Sequence, residues 1–386
     1  MRIVEPVSVA ARIRYDLREV ARSVAYAPRA AAFRGRLGRL AAPGEGVNYG
    51  WIEEPTRVGE TRIGGGVKLG HLRERFGETR EGFSVVYLVS SLLHLIPNAE
   101  ELVDWAKRAG VAVVWNQNGV AYPAWAGEFY PWFNEPMRRL IGRADFVVYQ
   151  SAFCRESADR YLGEVDGPSE VLWNPVNLDR FCPGAEVSVG EQYGLTPPVR
   201  LLAMGTCHSF DRVRASVDCL AELSRRGVDA ELTVAGELRW SGAKAECASY
   251  VEAGEFGERV RFLPKFSQDE APDLYRGADV LLHPKYKDPC PTVPIEALAC
   301  GVPVVGSRSG GMPELVPDDC GVLVEVPDDW TRDHVPAAAG MADGVERVMA
   351  HRERFSVAAR EWAVRSFDQR KWVDRHGGIF AEVRGK

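Results

Sequence analysis

The sequence predicts an α/β protein built from two Rossmann-like domains. Three observations lead there. Short apolar, β-branched runs alternate with helical stretches along most of the chain. A polar Pro/Gly-rich segment, Pro183 to Pro198, divides that alternation into two series. And 386 residues are too many for one typical core. The expected division is 1–182 for the first domain and 183–365 for the second, with the last stretch, 366–386, helical in pattern.

In the first series, Arg2 to Ala10 is a candidate strand and Arg12 to Ala27 a helix ended by Pro28. Val47 to Ile52 is a strand inside a Gly/Pro-rich region. The glycine run Gly64-Gly65-Gly66 turns into a helix reaching Phe76; with Gly65 at its centre it either admits a ligand close to the backbone or is a plain loop. Phe83 to Val89, helical Ala99 to Ala109 and Val111 to Trp115 make a βαβ unit. The loop after it, Asn116 to Gly119, therefore lies at a carboxyl edge, where neutral amides can bond sugar hydroxyls. The aromatic segment that follows, with Tyr122, Trp125, Tyr130 and Trp132, offers flat faces for sugar rings or simply packs. Phe146 to Tyr149 and Glu170 to Trp173 complete this series.

The second series runs Arg200 to Met204, helix Val213 to Arg225, Glu231 to Ala235, Val260 to Leu263, helix Glu270 to Arg276 and Val280 to Leu282. The stretch His283 to Glu314 follows: a Pro-rich turn at Asp288 to Pro291, a short helix at Ile295 to Cys300, Gly301 as its C-cap, and a strand at Val302 to Val305. Ligands of open α/β sheets bind beyond the carboxyl ends of strands, and helix N-termini favour phosphate. The backbone of Thr292 and Val293 stands at that helix start, and Glu296 falls in its first turn. A carboxylate repels phosphate but accepts hydrogen bonds from ribose hydroxyls. Together they describe a nucleotide.

Asp288 and Glu296, eight apart and followed by ALACGVPVV and SGGMPE, resemble the E-x7-E motif of the family 4 glycosyltransferases, with Asp288 in place of the first Glu. Asn174 to Phe181 is similar to that family's inter-domain sequence. The resemblance implies a GT-B fold, two lobes facing each other across a cleft, with the C-terminal helices crossing back to the first. It implies a retaining transfer from a nucleotide-diphosphate sugar to an acceptor nucleophile, the departing phosphate taking the acceptor's proton in a front-face reaction. On this basis Arg212 is the phosphate clamp, Lys285 a second cation, Lys265 a neighbour of the nucleobase, Gly65 part of a loop near the phosphates, and Asp288 the group that orients the sugar. Asn118 stands where many members have His. Two other readings share these residues: a nucleotide-sugar epimerase or hydrolase, and a non-catalytic nucleotide-sugar-binding protein.

Composition narrows the partners. With 46% hydrophobic and 26% charged residues the chain is that of an ordinary globular protein. A net charge of −6 argues against nucleic acid. Eight scattered cysteines, without C-x-x-C, suit reduced thiols and a cytoplasmic setting. No D-x-D or His cluster suggests a catalytic metal, and no cofactor is expected beyond the donor substrate. No run approaches the roughly 18 apolar residues of a membrane span. The Arg- and Ala-rich Arg12 to Arg39 suits either peripheral contact with an anionic lipid surface or a solvated helix. The acceptor, whether glycan, lipid-linked sugar or small metabolite, is not specified by the sequence.

Overall fold

The computed structural model describes residues 31–40, 44–51, 64–96, 98–184, 198–264 and 266–385. The expected strand at Arg2 to Ala10, the helix at Arg12 to Ala27, Lys265 and most of the linker lie outside them.

The first domain follows the order β1 (Gly46–Asn48), α1 (Gly64–Phe76), β2 (Phe83–Val89), α2 (Ala99–Ala109), β3 (Ala112–Gln117), α3 (Pro123–Ala126), α4 (Tyr130–Ile141), β4 (Phe146–Tyr149), α5 (Ala152–Leu162) and β5 (Ser169–Val171). Its strands form one parallel sheet in sequence order. The helices obey local rules. At α2, Asn98 accepts a hydrogen bond from the Glu101 amide, acidic Glu100 and Glu101 fill the first turn, Lys107 and Arg108 the last, and Gly110 follows in the left-handed region. Strand β2 is buried from Val85 to Val89, as a sheet covered on both faces requires.

The second domain contains β6 (Val199–Met204), α6 (Phe210–Arg225), β7 (Ala230–Ala235), α7 (Ala243–Ala253), β8 (Val260–Leu263), α8 (Ala271–Arg276), β9 (Val280–His283), α9 (Thr292–Ala299), β10 (Val304–Arg308), α10 (Met312–Leu315), β11 (Gly321–Glu325), α11 (Ala338–Ala350) and α12 (Arg352–Ser366). Its parallel sheet has the order β11-β10-β9-β6-β7-β8, so β6 and β9 are central neighbours and the chain switches direction between them.

The chain crosses between the domains twice at one place. Val176, on the way out, donates to the Phe367 carbonyl at 2.8 Å and accepts from the Gln369 amide at 3.1 Å, where the chain returns. The last helix, α13 (Gln369–Arg384), then packs Trp372, Val373, Ile379, Phe380 and Val383 into the first domain's core. Inside it, His376 Nε2 meets Tyr87 Oη at 3.1 Å. Two parallel-sheet domains joined this way form the GT-B fold. Val176, Leu178 and Phe181 pack with the second domain's core.

Several expected boundaries move. The glycine run is not a turn before α1; it is the helix's first turn. Strand β3 continues through Asn116 and Gln117, because the ladder to β4 extends that far. Helix α9 starts at Thr292, three residues before the expected Ile295, so Glu296 stands in its second turn rather than its first. Cys300 is the C-cap and Gly301 follows it, with the Val302 amide reaching back to Ala297 and the Gly301 amide to Leu298, a Schellman closure. Strand β10 is displaced from Val302–Val305 to Val304–Arg308.

Candidate active site

The carboxyl edge of the second sheet is assembled around β9 and α9. His283 ends β9; the loop after it carries Lys285 and Asp288; Pro291 then caps α9 without any side-chain hydrogen bond to the helix. The amides of Thr292 and Val293 thus open the helix with no side chain of their own loop as acceptor, which leaves them for an anion.

Arg212, from the first turn of α6, turns back over the end of β6. Its Nη1 donates to the Thr206 carbonyl at 3.2 Å, Nη2 donates to the Met204 carbonyl, and Nε is buried without an acceptor. A side-chain atom at Gly205 would stand 3.4 Å from Val293 Cγ2 and 3.6 Å from Arg212 Nη2, so guanidinium, strand end and helix start are neighbours. His208 in the same loop has its pKa lowered by burial and by the charges of Lys285, Arg239 and Arg212. Three cationic side chains thus bear on this loop.

Asp288 is buried and its Oδ2 takes two partners, Lys285 Nζ at 3.0 Å and His283 Nε2 at 3.2 Å. Burial acts to raise its pKa, but Lys285 and His283 outweigh that and hold the carboxyl below the ordinary carboxylate range. Burial takes His283 the other way, down to about 4 against the pull of Asp288, so the imidazole is neutral at pH 7. The expected second cation, Lys285, is thus already paired with a carboxylate through one of its three donors. Behind this loop, Gly310 (φ 64°) and Gly311 lie directly on the backbone of Asp288 and Pro289; a Cβ at Gly310 would meet the Asp288 carbonyl oxygen at 2.5 Å and one at Gly311 the Pro289 oxygen at 2.1 Å. The SGG sequence is thus a requirement of close approach.

Glu296 points from the second turn of α9 toward α8, where Tyr275 Oη donates to its Oε2 at 2.8 Å. Burial raises its pKa to about 7, opposed by the Tyr275 hydrogen bond and by Arg180. Tyr275 was not foreseen: it sits mid-pattern on a helix and reads as core.

Asn118 stands on the opposite side of the seam. Its amide donates to Ser90 Oγ at 2.9 Å and its carbonyl accepts from Gln117 Nε2 at 2.8 Å. The next residue, Gly119, packs against the second domain so closely that a Cβ would lie 2.6 Å from Pro289 Cγ. The domains touch elsewhere too. Ser151 Oγ donates to the Pro289 carbonyl at 2.7 Å, and the Glu314 carboxylate accepts from the Ala152 and Phe153 amides at 2.9 and 3.1 Å, capping α5 from the other domain. Trp330, in the loop after β11, stacks on Phe153 at 5.5 Å and accepts the Ala124 amide on its carbonyl at 2.8 Å. The Tyr122 ring is buried edge-on against Trp330, and so is not free to stack on a sugar. Trp125 is 62% exposed, and Tyr130 packs on Tyr161. Gly65 lies in the first turn of α1, three residues before the buried Lys68, whose Nζ donates to Asn116 Oδ1 at 3.0 Å. Neither Lys68 nor Trp330 carries a motif that would single it out in the sequence.

Comparison with known proteins places this arrangement. In fold the chain is similar to Anabaena HepE in complex with UDP (TM-score 0.63, 16% identity, covering 83% of this chain and 82% of that one) and to sucrose-phosphate synthase from Thermosynechococcus elongatus (TM-score 0.63, 19% identity, 86% and 82%). The two-lobed fold with its binding edges turned to a common seam defines a GT-B protein. Residues 198–340, within the second domain, match the family model Glycosyl transferases group 1. Among curated proteins it is similar to D-inositol 3-phosphate glycosyltransferase 2 of Catenulispora acidiphila, 32% identical over 55% of this chain and 53% of that protein. A D-inositol 3-phosphate glycosyltransferase of Nocardia farcinica is 30% identical over 63% and 58%. The chain spans about half the length of the curated relatives it matches. Among the described residues no helix is long and apolar enough to cross a membrane.

Proposed function

We propose that this protein is a retaining glycosyltransferase, moving a sugar from a nucleotide-diphosphate donor to an acceptor hydroxyl without a catalytic metal. The single observation that carries the reading is the edge of the second domain: an uncapped helix start at Thr292 and Val293, Arg212 beside it and Glu296 one turn on. The diphosphate lies on the Thr292 and Val293 amides and takes the Nε–H of Arg212, while Glu296 accepts from the ribose hydroxyls. Lys265 flanks the base and the Gly65 turn approaches the phosphates from the first domain. Asp288, kept ionised by Lys285 and His283, accepts hydrogen bonds from the sugar's hydroxyls and holds its anomeric carbon toward the seam.

Bond breaking sends negative charge onto the diphosphate, where amides and guanidinium stabilise it. The acceptor hydroxyl attacks from the same face, its proton passes to the departing phosphate oxygen, and the configuration is kept. Asn118 bonds the acceptor rather than removing a proton from it. The names of the relatives support a small phosphorylated polyol among the candidate acceptors, and those of the fold neighbours support a UDP donor. The same chemistry is compatible with a cytoplasmic setting and peripheral membrane contact.

Thermal stabilisation by UDP-, GDP-, ADP- and dTDP-sugars tests this. A ligand at about 100 times its dissociation constant adds roughly 2.7 kcal/mol to stability. One of the four should give such a shift, and Glu296→Ala should remove it. No shift with any of them, or an unchanged shift in the variant, overturns the reading.

A further inference from the structure

We infer that Lys68 is an anion-recognition residue of the seam, holding a phosphate group of a bound substrate. The inference rests on the reading above for the identity of the site, and deepens it from the first domain's side.

Lys68 is 2% exposed. Its ammonium has three donors, and among the described residues its one hydrogen-bond acceptor is the neutral Oδ1 of Asn116, at 3.0 Å, which is shared with Gln150 Nε2, also at 3.0 Å. The groups that act on its charge are the thiols of Cys290 and Cys154, not a carboxylate. Withdrawing an ammonium from water without a counter-charge is costly, and proteins usually avoid it by pairing. This chain does so elsewhere. The equally buried Lys287 pairs with Asp328, and Arg200 meets the buried Asp279 at 2.7 Å. Among the described residues Lys68 meets no carboxylate. Burial alone lowers its pKa to about 8, which still leaves it largely charged at pH 7.

Its position says what the charge is for. Asn116 is at the carboxyl end of β3 and Gln150 directly follows β4, so the ammonium lies at the ligand-binding edge of the first sheet. Across the seam stands Cys290, two residues before α9 and its uncapped amides. A methionine would fill the space, and a glutamine would also donate to Asn116, at lower cost. A lysine is explained when a substrate brings the missing negative charge. Two sources supply the same chemistry: the donor's diphosphate, reached across the seam, or a phosphate carried by the acceptor.

Calorimetric titrations of wild type, Lys68→Met, Lys68→Arg and Asn116→Asp distinguish them. The probes are UDP against uridine, and inorganic phosphate added to UDP-saturated protein. A loss of about tenfold or more for UDP in Lys68→Met, with uridine unchanged and partial recovery in Lys68→Arg, assigns Lys68 to the donor; the same loss confined to inorganic phosphate assigns it to the acceptor, tenfold being about 1.4 kcal/mol. If Lys68→Met does not fold, Asn116→Asp sets a carboxylate beside the ammonium and must produce the same loss. Wild-type affinities for all three probes in a folded Lys68→Met, or in Asn116→Asp, overturn the inference and leave the donor site standing. A wild-type protein that binds neither phosphate nor any of UDP, GDP, ADP and dTDP overturns both readings.

Discussion

The two edges that meet at the seam are built on opposite principles. On the second domain, charge is abundant and already partnered: Asp288 with Lys285 and His283, Lys287 with Asp328, Arg212 on two main-chain carbonyls. On the first, the edge consists of the neutral amides Asn116, Gln117, Asn118 and Gln150 around one uncompensated lysine. A pre-paired set of charges keeps its geometry before any ligand arrives, which suits a fixed group such as a nucleoside diphosphate. Neutral amides are adaptable donors and acceptors and suit hydroxyls, whose number and placement differ from one acceptor to another. On the proposed function, the difference teaches that the donor site is specified by the fold, whereas the acceptor site is specified by a few side chains on it.

The largest effect should come from Asp288→Asn. It removes the charge that Lys285 and His283 share, and with it the orientation of the sugar. Turnover should fall on the order of 100- to 1000-fold, the loss typical of one preorganised polar contact, while UDP affinity changes little. Unchanged turnover in steady-state assays would break the comparison, making those paired charges structural only.

Trp330→Ala comes next, because this ring joins the edges. It stacks on Phe153 and lies beneath Lys287 Nζ, 3.9 Å from the ring centroid. Truncating a buried Trp costs about 3–5 kcal/mol in a core; at this inter-domain position the expected loss is about 3 kcal/mol, near the low end of that range. Calorimetry of the variant should resolve separate melting of the two domains. A single unshifted transition would mean that Glu314, Ser151 and the paired crossings hold the seam without the ring.

Arg212→Ala sharpens the donor half. Hydrogen bonds to charged groups are worth about 1.5–3 kcal/mol, so UDP should bind on the order of tenfold or more weakly, with uridine unaffected. Equal weakening of both would show that the guanidinium serves only to hold the β6 loop.

The contrast between edges also explains what could be read from the sequence. The donor edge is local: Asp288, Thr292, Val293 and Glu296 lie within nine residues, on a strand, turn and helix whose types follow from apolar runs, Pro291 and Gly301. Both sheets, the junction and the returning C-terminal helix were legible for the same reason, since period and breaker residues act over short distances. What the sequence leaves hidden is non-local. Lys285 reads as a free cation until Asp288 is seen beside it. Tyr122 reads as either a sugar platform or packing, and Trp330, far along the chain, settles it as packing. Lys68, between Val67 and Leu69, carries no motif, and its burial is visible only in the fold. Helix α9 starts before the expected Ile295 because Pro294 falls in its first turn, where proline is tolerated.

The smallest expected effect concerns pH, and it isolates one residue of the donor edge. Burial raises the Glu296 carboxyl to about 7 in the folded protein, from an ordinary value near 4.5. A raised folded-state pKa favours the protonated form, so its contribution to stability is full below about pH 4.5 and is lost as pH rises through about 7. Relative to Glu296→Gln, which cannot ionise, the ligand-free wild type should therefore lose on the order of 1 kcal/mol or more between those values, and nothing further above them. Nucleotide binding should run the other way. Ribose hydroxyls need the ionised carboxylate as acceptor, so UDP affinity of the wild type should rise with pH through about 7, while that of Glu296→Gln stays low and flat. Parallel melting and titration series at pH 4.5, 6, 7 and 8 measure both slopes. Slopes of opposite sign in the wild type and neither in the variant would tie the ribose contact to Glu296; the same rising affinity slope in both would assign it to another titrating group, such as the terminal phosphate of UDP itself.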